Sequence, residues 1–485
     1  MTRPSMPRNF SATIVPAQAS PTTSEQLTDA STQLSTESTQ VPTERPDLRD
    51  EGLTTFFVES MPPLLFAGIS LIFTGLLLQK WQTSQFYVEV HEALMLTPVL
   101  LGMKGNLEMT LASRLTTLSH TGKLDEHKTR WPILGANWAL VQLQASVLAW
   151  FASGLAMLVT SVGKGVFLRE GIILTASALS AVHLSSVVLG SVIMTSVLLA
   201  RKFHVNPDNV ISPVAASVGD LTTLCLLVGT GTLLIHICPS TNCWLVYTIM
   251  GTTLVAIPIC FFITFKNTYT RPTLKWGWFS ILLAAVISSI GGFIFQGATH
   301  KFKTLAMFQP LIAGLAGNRA AIQCCRLSTS FYVENGDPGR IAVGDTWRRR
   351  LNPIYVFDGH DIHSRTTLLL IACAIPSHAG FMSAIILLNG NHCLFNLSLF
   401  GAYLAAALIQ VTLLLYLAQL LVYGLWRLGT DPDHSAIPVI TSLSDFLGSF
   451  FLFIVFSTLD EKSKCVASDF VPLTSLAMTT TVAGF

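Results

Sequence analysis

The stretch Pro98-Val-Leu-Leu-Gly102-Met-Lys-Gly105-Asn106, continued by Arg114-Leu115 and Thr117, returns as Pro310-Leu-Ile-Ala-Gly314-Leu-Ala-Gly317-Asn318, continued by Arg326-Leu327 and Thr329. Every identity recurs 212 residues further on, from 98 to 310 and from 117 to 329. A second pair follows in the same order. Asn206-Pro207-Asp208, Pro213-Val214, Ser217 and Asp220 match Asp431-Pro432-Asp433, Pro438-Val439, Ser442 and Asp445 at a spacing of 225. The thirteen additional residues fall in a basic loop, where insertions are tolerated. Two ordered matches at nearly constant spacing predict an internal duplication.

Both copies lie in apolar surroundings. The 485 residues are 51% hydrophobic and only 12% charged, with a mean hydropathy of +0.56. Soluble proteins carry roughly 25% charged residues, so the chain reads as membrane-spanning. A membrane helix needs about 20 mostly apolar residues. Candidate spans fall near 62–79, 93–119, 133–160, 171–200, 212–236, 245–265, 276–297, 305–331, 366–388, 393–425 and 437–458. The two that carry the repeated glycines, 93–119 and 305–331, are the least apolar. The fold class expected is an all-α polytopic membrane protein of about eleven transmembrane helices.

Lys and Arg placement orients the spans. With the amino terminus inside, inner loops hold Lys123, Lys128, Arg130, Arg201, Lys202, Lys266, Arg271, Lys275, Arg340, Arg348, Arg349, Arg350, Arg365 and Arg427. Outer loops hold Lys80, Lys164, Arg169, Lys301 and Lys303, an imbalance of about three to one. Eleven spans then put the carboxyl terminus outside, with the plasma membrane the expected location. Five spans per copy is an odd number, so direct fusion would invert the second copy. The sixth span has no counterpart in the repeat and restores a common orientation, giving parallel repeats about an axis along the membrane normal.

The resulting division is a Ser/Thr-rich tail over 1–55, a first repeat over 56–240, a connecting helix over 241–270, a second repeat over 271–460 and a short extracytosolic tail over 461–485. The amino-terminal stretch is too polar to offset its ordering entropy and is expected to be disordered. It has no apolar core of a signal peptide. The nine cysteines form no CxxC or zinc-finger pattern, and most lie in apolar segments as small hydrophobes. Cys238 and Cys243 share a short loop in which they can bridge if it faces an oxidising compartment. The net charge of +2 says nothing about partners; those expected are the lipid bilayer and a cation, with no nucleic acid.

Asp220 and Asp445 carry the chemistry. A carboxylate in hydrocarbon costs at least ~2.5 kcal/mol, so each faces an aqueous path or a cationic partner that merely holds the bundle. Their repetition favours one shared site on the pseudo-two-fold axis. Two facing carboxylates with backbone carbonyls nearby form a hard-oxygen site suited to Mg²⁺ and unsuited to soft metals. The clusters Gly102, Gly105, Asn106 and Gly314, Gly317, Asn318 allow close helix packing or a local break, with Asn as a polar ligand. Arg114 and Arg326 are read as anchors near cytoplasmic helix ends, and His183 as a polar core contact.

The segment Met103-Lys-Gly-Asn-Leu-Glu-Met-Thr-Leu-Ala-Ser-Arg-Leu-Thr117, with Asn206-Pro-Asp-Asn and Gly219-Asp220-Leu-Thr, resembles the first half of solute carrier family 41, the eukaryotic relatives of the bacterial MgtE magnesium transporters. Gly317-Asn318 to Thr329, and Asp431-Pro-Asp433 through Asp445-Phe-Leu-Gly448, resemble its second half. The similarity covers about residues 56–460. It implies a transporter, not an enzyme, passing Mg²⁺ as substrate through a pore between the halves, with Asp220 and Asp445 at the ion site and no resident cofactor. Asn106, Asn318, the four repeated glycines, Glu108, Ala216 and Thr441 would line the path. Animal members imply Mg²⁺ extrusion in exchange for Na⁺.

The second half departs from that pattern. It reads Ala316-Gly-Asn-Arg319-Ala-Ala-Ile-Gln323 where the family usually has Gly-Gly-Asn-Leu-Val-Ala-Ile-Gln, and Ser444-Asp-Phe-Leu447 where it has Gly-Asp-Leu-Leu. Lys104 and Glu108 stand four apart on one helical face, where they cancel, whereas Ala316 and Ala320 replace them and Arg319 stands beside Asn318. Arg319 is accordingly a candidate modulator, either partly neutralising Asp445 or reaching into a water-filled vestibule. No cytosolic segment large enough to sense Mg²⁺ is evident, so a different gate is expected. Alternatives are a transporter or channel for another divalent cation, or a non-transporting membrane partner. An intramembrane aspartyl protease is disfavoured, because Ser217-Val218-Gly219 precedes Asp220 where that chemistry needs Gly-x-Gly, and the chain has no Tyr-Asp pair.

Overall fold

A backbone in hydrocarbon has no water to bond, so apolar spans of this length satisfy their own N–H and C=O groups as helices. The computed structural model describes residues 53–120, 123–124, 126–164, 168–202, 207–335, 338–340, 351–390, 394 and 396–459. They hold helices and turns, with no strand among them. The tail over 1–52, Asn206, the arginines 348–350 and the tail from 460 lie outside the described residues.

Among the described residues are eleven helices of 23 residues or more: α1 Leu53–Trp81, α2 Glu92–His120, α3 His127–Lys164, α4 Leu168–Lys202, α5 Pro207–Ile237, α6 Trp244–Lys266, α7 Trp278–Lys301, α8 Gln309–Asn335, α9 Ile362–Asn389, α10 Leu397–Arg427 and α11 Pro432–Thr458. Nine contain a segment long and apolar enough to cross a membrane. The exceptions are α2, with buried Lys104, Glu108 and Arg114, and α8, with buried Arg319 and Gln323. Two boundaries differ from the sequence expectation. Helix α1 runs through Pro62 and Pro63 and begins at Leu53, inside the stretch assigned to the tail. Helix α8 starts at Gln309 after a separate 3-10 turn, Lys303–Met307. The apolar run hides that turn, although Pro310 near a helix start marks it.

Caps and small residues shape the bundle. Asp361 accepts from the Ser364 N–H at 2.7 Å to open α9, and Gly390 closes it with φ +72, a left-handed conformation that favours glycine. Ala176, Ser177, Ala178, Ala181 and Ser185 of α4 are fully buried. Such residues bring helix backbones together where lipid supplies no hydrophobic drive. Their hydroxyls bond back one turn, as Ser177 does to the Ile173 carbonyl at 2.7 Å, which satisfies a polar group without a partner helix.

Neighbour relations over residues 53–237 recur over 278–458. Helix α5 packs on α1, α2 and α4, and α11 packs on α7, α8 and α10. The first helix of each segment also crosses to the other, α1 against α8 and α7 against α2. Helix α6 stands apart, packed mainly on α3 and α4, with only Val246, Thr253 and Thr264 buried. It ends the loop in which Cys238 and Cys243 form a disulfide. At the turn between α1 and α2, the Gln85 amide and then the Arg169 guanidinium hold the Glu89 carboxyl below its usual range.

Candidate cation site between the two segments

A cavity of about 80 Å³ lies among α1, α2, α5, α8 and α11. At about 10–15 Å³ per water it has room for several. Asp220 from α5 and Asp445 from α11 both line it, so the two repeated carboxylates meet in one space. Their helices are delivered there by the second and eighth helices, whose glycines clear the way.

The glycines act by close approach, and α2 and α8 stay helical through them. A methyl group at Gly102 would collide with Asp445 Oδ2, so only glycine admits that carboxylate. At Gly105 the same methyl would stand 3.9 Å from Asp220 Oδ1, in ordinary contact. Gly317 faces Ser444, with 3.3 Å from an added Cβ to the serine Cβ, and Gly314 faces the Leu71 methyls at 2.7 Å. Asn106 and Asn318 line the cavity as well. The Thr441 hydroxyl donates to Asn106 Oδ1 at 2.8 Å, tying α11 to α2 across the wall.

Three expected site residues are not among those that line this cavity. Glu108 is buried behind α2, hydrogen-bonded through Oε1 to the Lys104 ammonium. Among the described residues its Oε2 has no hydrogen-bond partner, and it would stand 2.9 Å from a methyl at Gly219. Helical spacing predicts the ion pair correctly; it does not reveal that the pair turns toward α5. Arg319 does not pair with Asp445, nor does it reach a vestibule, being 1% exposed. Its guanidinium donates to the Leu315 carbonyl at 2.8 Å, to the Cys373 carbonyl and to the Ser377 hydroxyl, all away from the cavity. Helix α9 supplies carbonyl and hydroxyl acceptors that serve in place of a carboxylate. The backbone of Ala216 lies in α5 one turn before Asp220, and its side chain is outside the described residues.

Arg114 also departs from its expected anchoring role. It is 8% exposed and donates through Nε to Asn137 Oδ1 at 3.0 Å. Arg326 lies over the Phe56 ring, 4.4 Å from its centroid. His183 is a polar core contact, with Nδ1 2.5 Å from Gln142 Oε1 and Nε2 3.1 Å from the Ser146 hydroxyl.

Sequence reasoning missed contributors outside the repeated motif. Ser288 of α7 donates to Asp445 Oδ2 at 3.2 Å, and Gln309 and Leu71 line the cavity. Gln309 could have been found, since it directly precedes the repeated Pro310. Ser288 and Leu71 belong to first helices whose repeat has diverged, so nothing in their own sequence marks them.

The charges around the cavity divide cleanly. Its lining includes two carboxylates, two asparagines, a glutamine and a threonine, and among the described residues no Lys, Arg or His. Among the described residues no group of three or more His, Cys, Asp or Glu could hold a metal. The oxygens of the side chains lining the cavity are hard donors.

A model of the MgtE divalent cation transporter family matches residues 97–230 and 309–455. Solute carrier family 41 member 3 of Mus musculus is 35% identical over 418 residues, which are 85% of this chain and 84% of that protein. Solute carrier family 41 member 2 of Homo sapiens is 33% identical over 417 residues, covering 85% and 72%. No solved structure matches.

Proposed function

This chain belongs to the MgtE divalent cation transporter family, and from that premise we propose that it moves Mg²⁺ across a membrane through a path between two pseudo-symmetric halves. The observation that carries the reading is the meeting of Asp220 and Asp445 in one cavity whose other polar lining residues, among those described, are Asn106, Gln309, Asn318 and Thr441. Mg²⁺ dehydrates reluctantly and is usually bound through one or two carboxylates while keeping several waters. Zn²⁺ or Cu²⁺ would favour His or Cys. The carboxylates are the charges that offset partial dehydration. Asn106, Asn318 and Thr441 offer the uncharged oxygens that let the ion leave again.

The repeated neighbour pattern and the two matched segments support parallel halves, each with five crossings, in which α2 and α8 also span the membrane. Helix α6 makes the sixth crossing. The disulfide between Cys238 and Cys243 supports an outer position for its loop, because disulfides persist in oxidising compartments. The amino terminus is then cytosolic and the carboxyl terminus extracytosolic, with the plasma membrane as host. A Lys123→Cys protein tests the orientation: labelling by an impermeant reagent on intact cells would reverse it.

Tracer Mg²⁺ flux into proteoliposomes tests the function, with and without an opposed Na⁺ gradient to examine exchange. Asp220→Asn keeps shape and removes charge. Flux should fall at least tenfold, equivalent to about 1.4 kcal/mol, with Tm and expression near wild type. Flux that survives in Asp220→Asn would make the residue a bundle contact and remove it from the path.

A further inference from the structure

The two carboxylates differ in how their neighbours hold them. Helix α7 lies backbone to backbone against α11 at Asp445: a methyl at Gly291 would stand 2.8 Å from Phe446 Cα and 3.2 Å from the Asp445 carbonyl carbon. One turn earlier, Ser288 is 1% exposed and donates to Asp445 Oδ2 at 3.2 Å. The same oxygen occupies the space over Gly102. Asp445 is thus held between a hydroxyl on one helix and a glycine on another.

The corresponding position beside Asp220 can be found from the packing. A methyl at Gly292 would collide with the Met95 carbonyl oxygen, and one at Gly75 with the Met307 carbonyl oxygen. Met95 and Met307 are 212 residues apart, the spacing of the repeated glycine motif. Gly75 and Gly292 therefore occupy equivalent places, and the residues four before them, Leu71 and Ser288, do so as well. Leu71 is 3% exposed, lines the cavity and fills the space over Gly314. Where Gly291 lets α7 touch α11, α1 has Thr74, whose hydroxyl bonds back to the Ser70 carbonyl at 2.9 Å. Among the described residues, Asp220 accepts no hydrogen bond.

We infer that Ser288 is a positioning residue that fixes Asp445 as the standing ligand of the cation, while Leu71 leaves Asp220 as the carboxylate free to reorient. The inference rests on the cavity being the cation path. A hydroxyl donor presets one carboxylate at its ligand geometry, so less ordering remains at the moment of binding. An apolar side chain at the equivalent place offers Asp220 no such hold, and a ligand without a hold can turn with the ion as it leaves. Unequal holding serves transit, because two preset carboxylates would bind a dication tightly and release it slowly.

The test measures half-saturating Mg²⁺ and maximal flux separately in proteoliposomes for Ser288→Ala, Ser288→Thr and Leu71→Ser. Ser288→Ala should raise half-saturating Mg²⁺ about fivefold, the scale of one typical net hydrogen bond, with maximal flux within about twofold. Ser288→Thr, which keeps the hydroxyl, should restore the wild-type value. Leu71→Ser should lower both half-saturating Mg²⁺ and maximal flux by adding a second hold. A Ser288→Ala protein with wild-type Tm and unchanged half-saturation would overturn the inference, as would Leu71→Ser shifting half-saturation upward. Failure of the transport reading would look different: the wild-type protein itself would lack saturable Mg²⁺ flux.

Discussion

The wall that α2 builds and the wall that α8 builds carry the same glycines and asparagine but manage charge in opposite ways. Helix α2 buries a cation and an anion together, Lys104 and Glu108, one turn apart. Helix α8 has Ala316 and Ala320 in those places, both fully buried, and has Arg319 where α2 has Leu107. The α2 cation is answered within its own helix, whereas the α8 cation is answered largely by carbonyl and hydroxyl groups of α9. Both solutions turn the positive charge away from the cavity, in whose lining the two carboxylates are the only charged groups among the described residues. On the proposed transport reading, basic residues can stand close to the cation path without repelling the ion, provided each is compensated on its far side.

Breaking the α2 solution should have the largest effect. Lys104→Met leaves Glu108 buried without its cation, and removing one partner of a buried pair costs about 3–5 kcal/mol. Tm in detergent should drop sharply and expression should fall. Converting the pair together, Lys104→Met with Glu108→Leu, replaces both charges by apolar groups of similar volume and should recover most of the loss. A double variant as unstable as the single one would show that packing, and not the uncompensated carboxylate, is at stake.

The α8 solution should prove quieter. Arg319→Leu removes the guanidinium together with its need for acceptors. Because its partners among the described residues are neutral carbonyls and a hydroxyl, it leaves no uncompensated buried charge, the condition under which removing one partner is costly. Half-saturating Mg²⁺ should move by less than about twofold, under about 0.4 kcal/mol, because Asp445 is held by Ser288 and not by Arg319. A tenfold gain in Mg²⁺ affinity would mean that Arg319 acts directly on Asp445, and the contrast between the walls would have to be redrawn.

Much of this was legible in the amino-acid sequence. Among the described residues eleven long helices occupy the stretches read as spans, nine of them apolar enough to cross a membrane, and repetition singled out Asp220, Asp445, the glycines and the asparagines that share the cavity. The misplaced ends have local causes. Pro62 and Pro63 look like a helix boundary, yet helix-breaking residues are tolerated in membrane helices whose neighbours resatisfy the backbone. Residues 305–308 read as apolar span because hydropathy does not register a change from 3-10 to α geometry. The direction of Arg319 was not legible for another reason. Helical spacing ranks which residues share a face, but which neighbour that face meets depends on α9, whose sequence carries no mark of a guanidinium partner. Ser288 escaped because a serine in an apolar helix most often bonds back to its own carbonyls, as the adjacent Ser289 does to the Ala285 carbonyl at 2.7 Å.

Helix α6 has a consequence of another kind. With three buried residues it adds little to the core, so what it contributes to the assembly is chiefly connection. A tether turns the encounter of two halves into an intramolecular event at an effective concentration on the order of millimolar, where separate subunits would depend on lateral diffusion and expression level. It also ends the bookkeeping of symmetry. In a dimer of identical chains every substitution is made twice around the axis, so an arginine at 319 or a leucine at 71 would appear on both sides of the path. In a fused chain each is made once, and the two sides are free to become a fixed wall and a moving one.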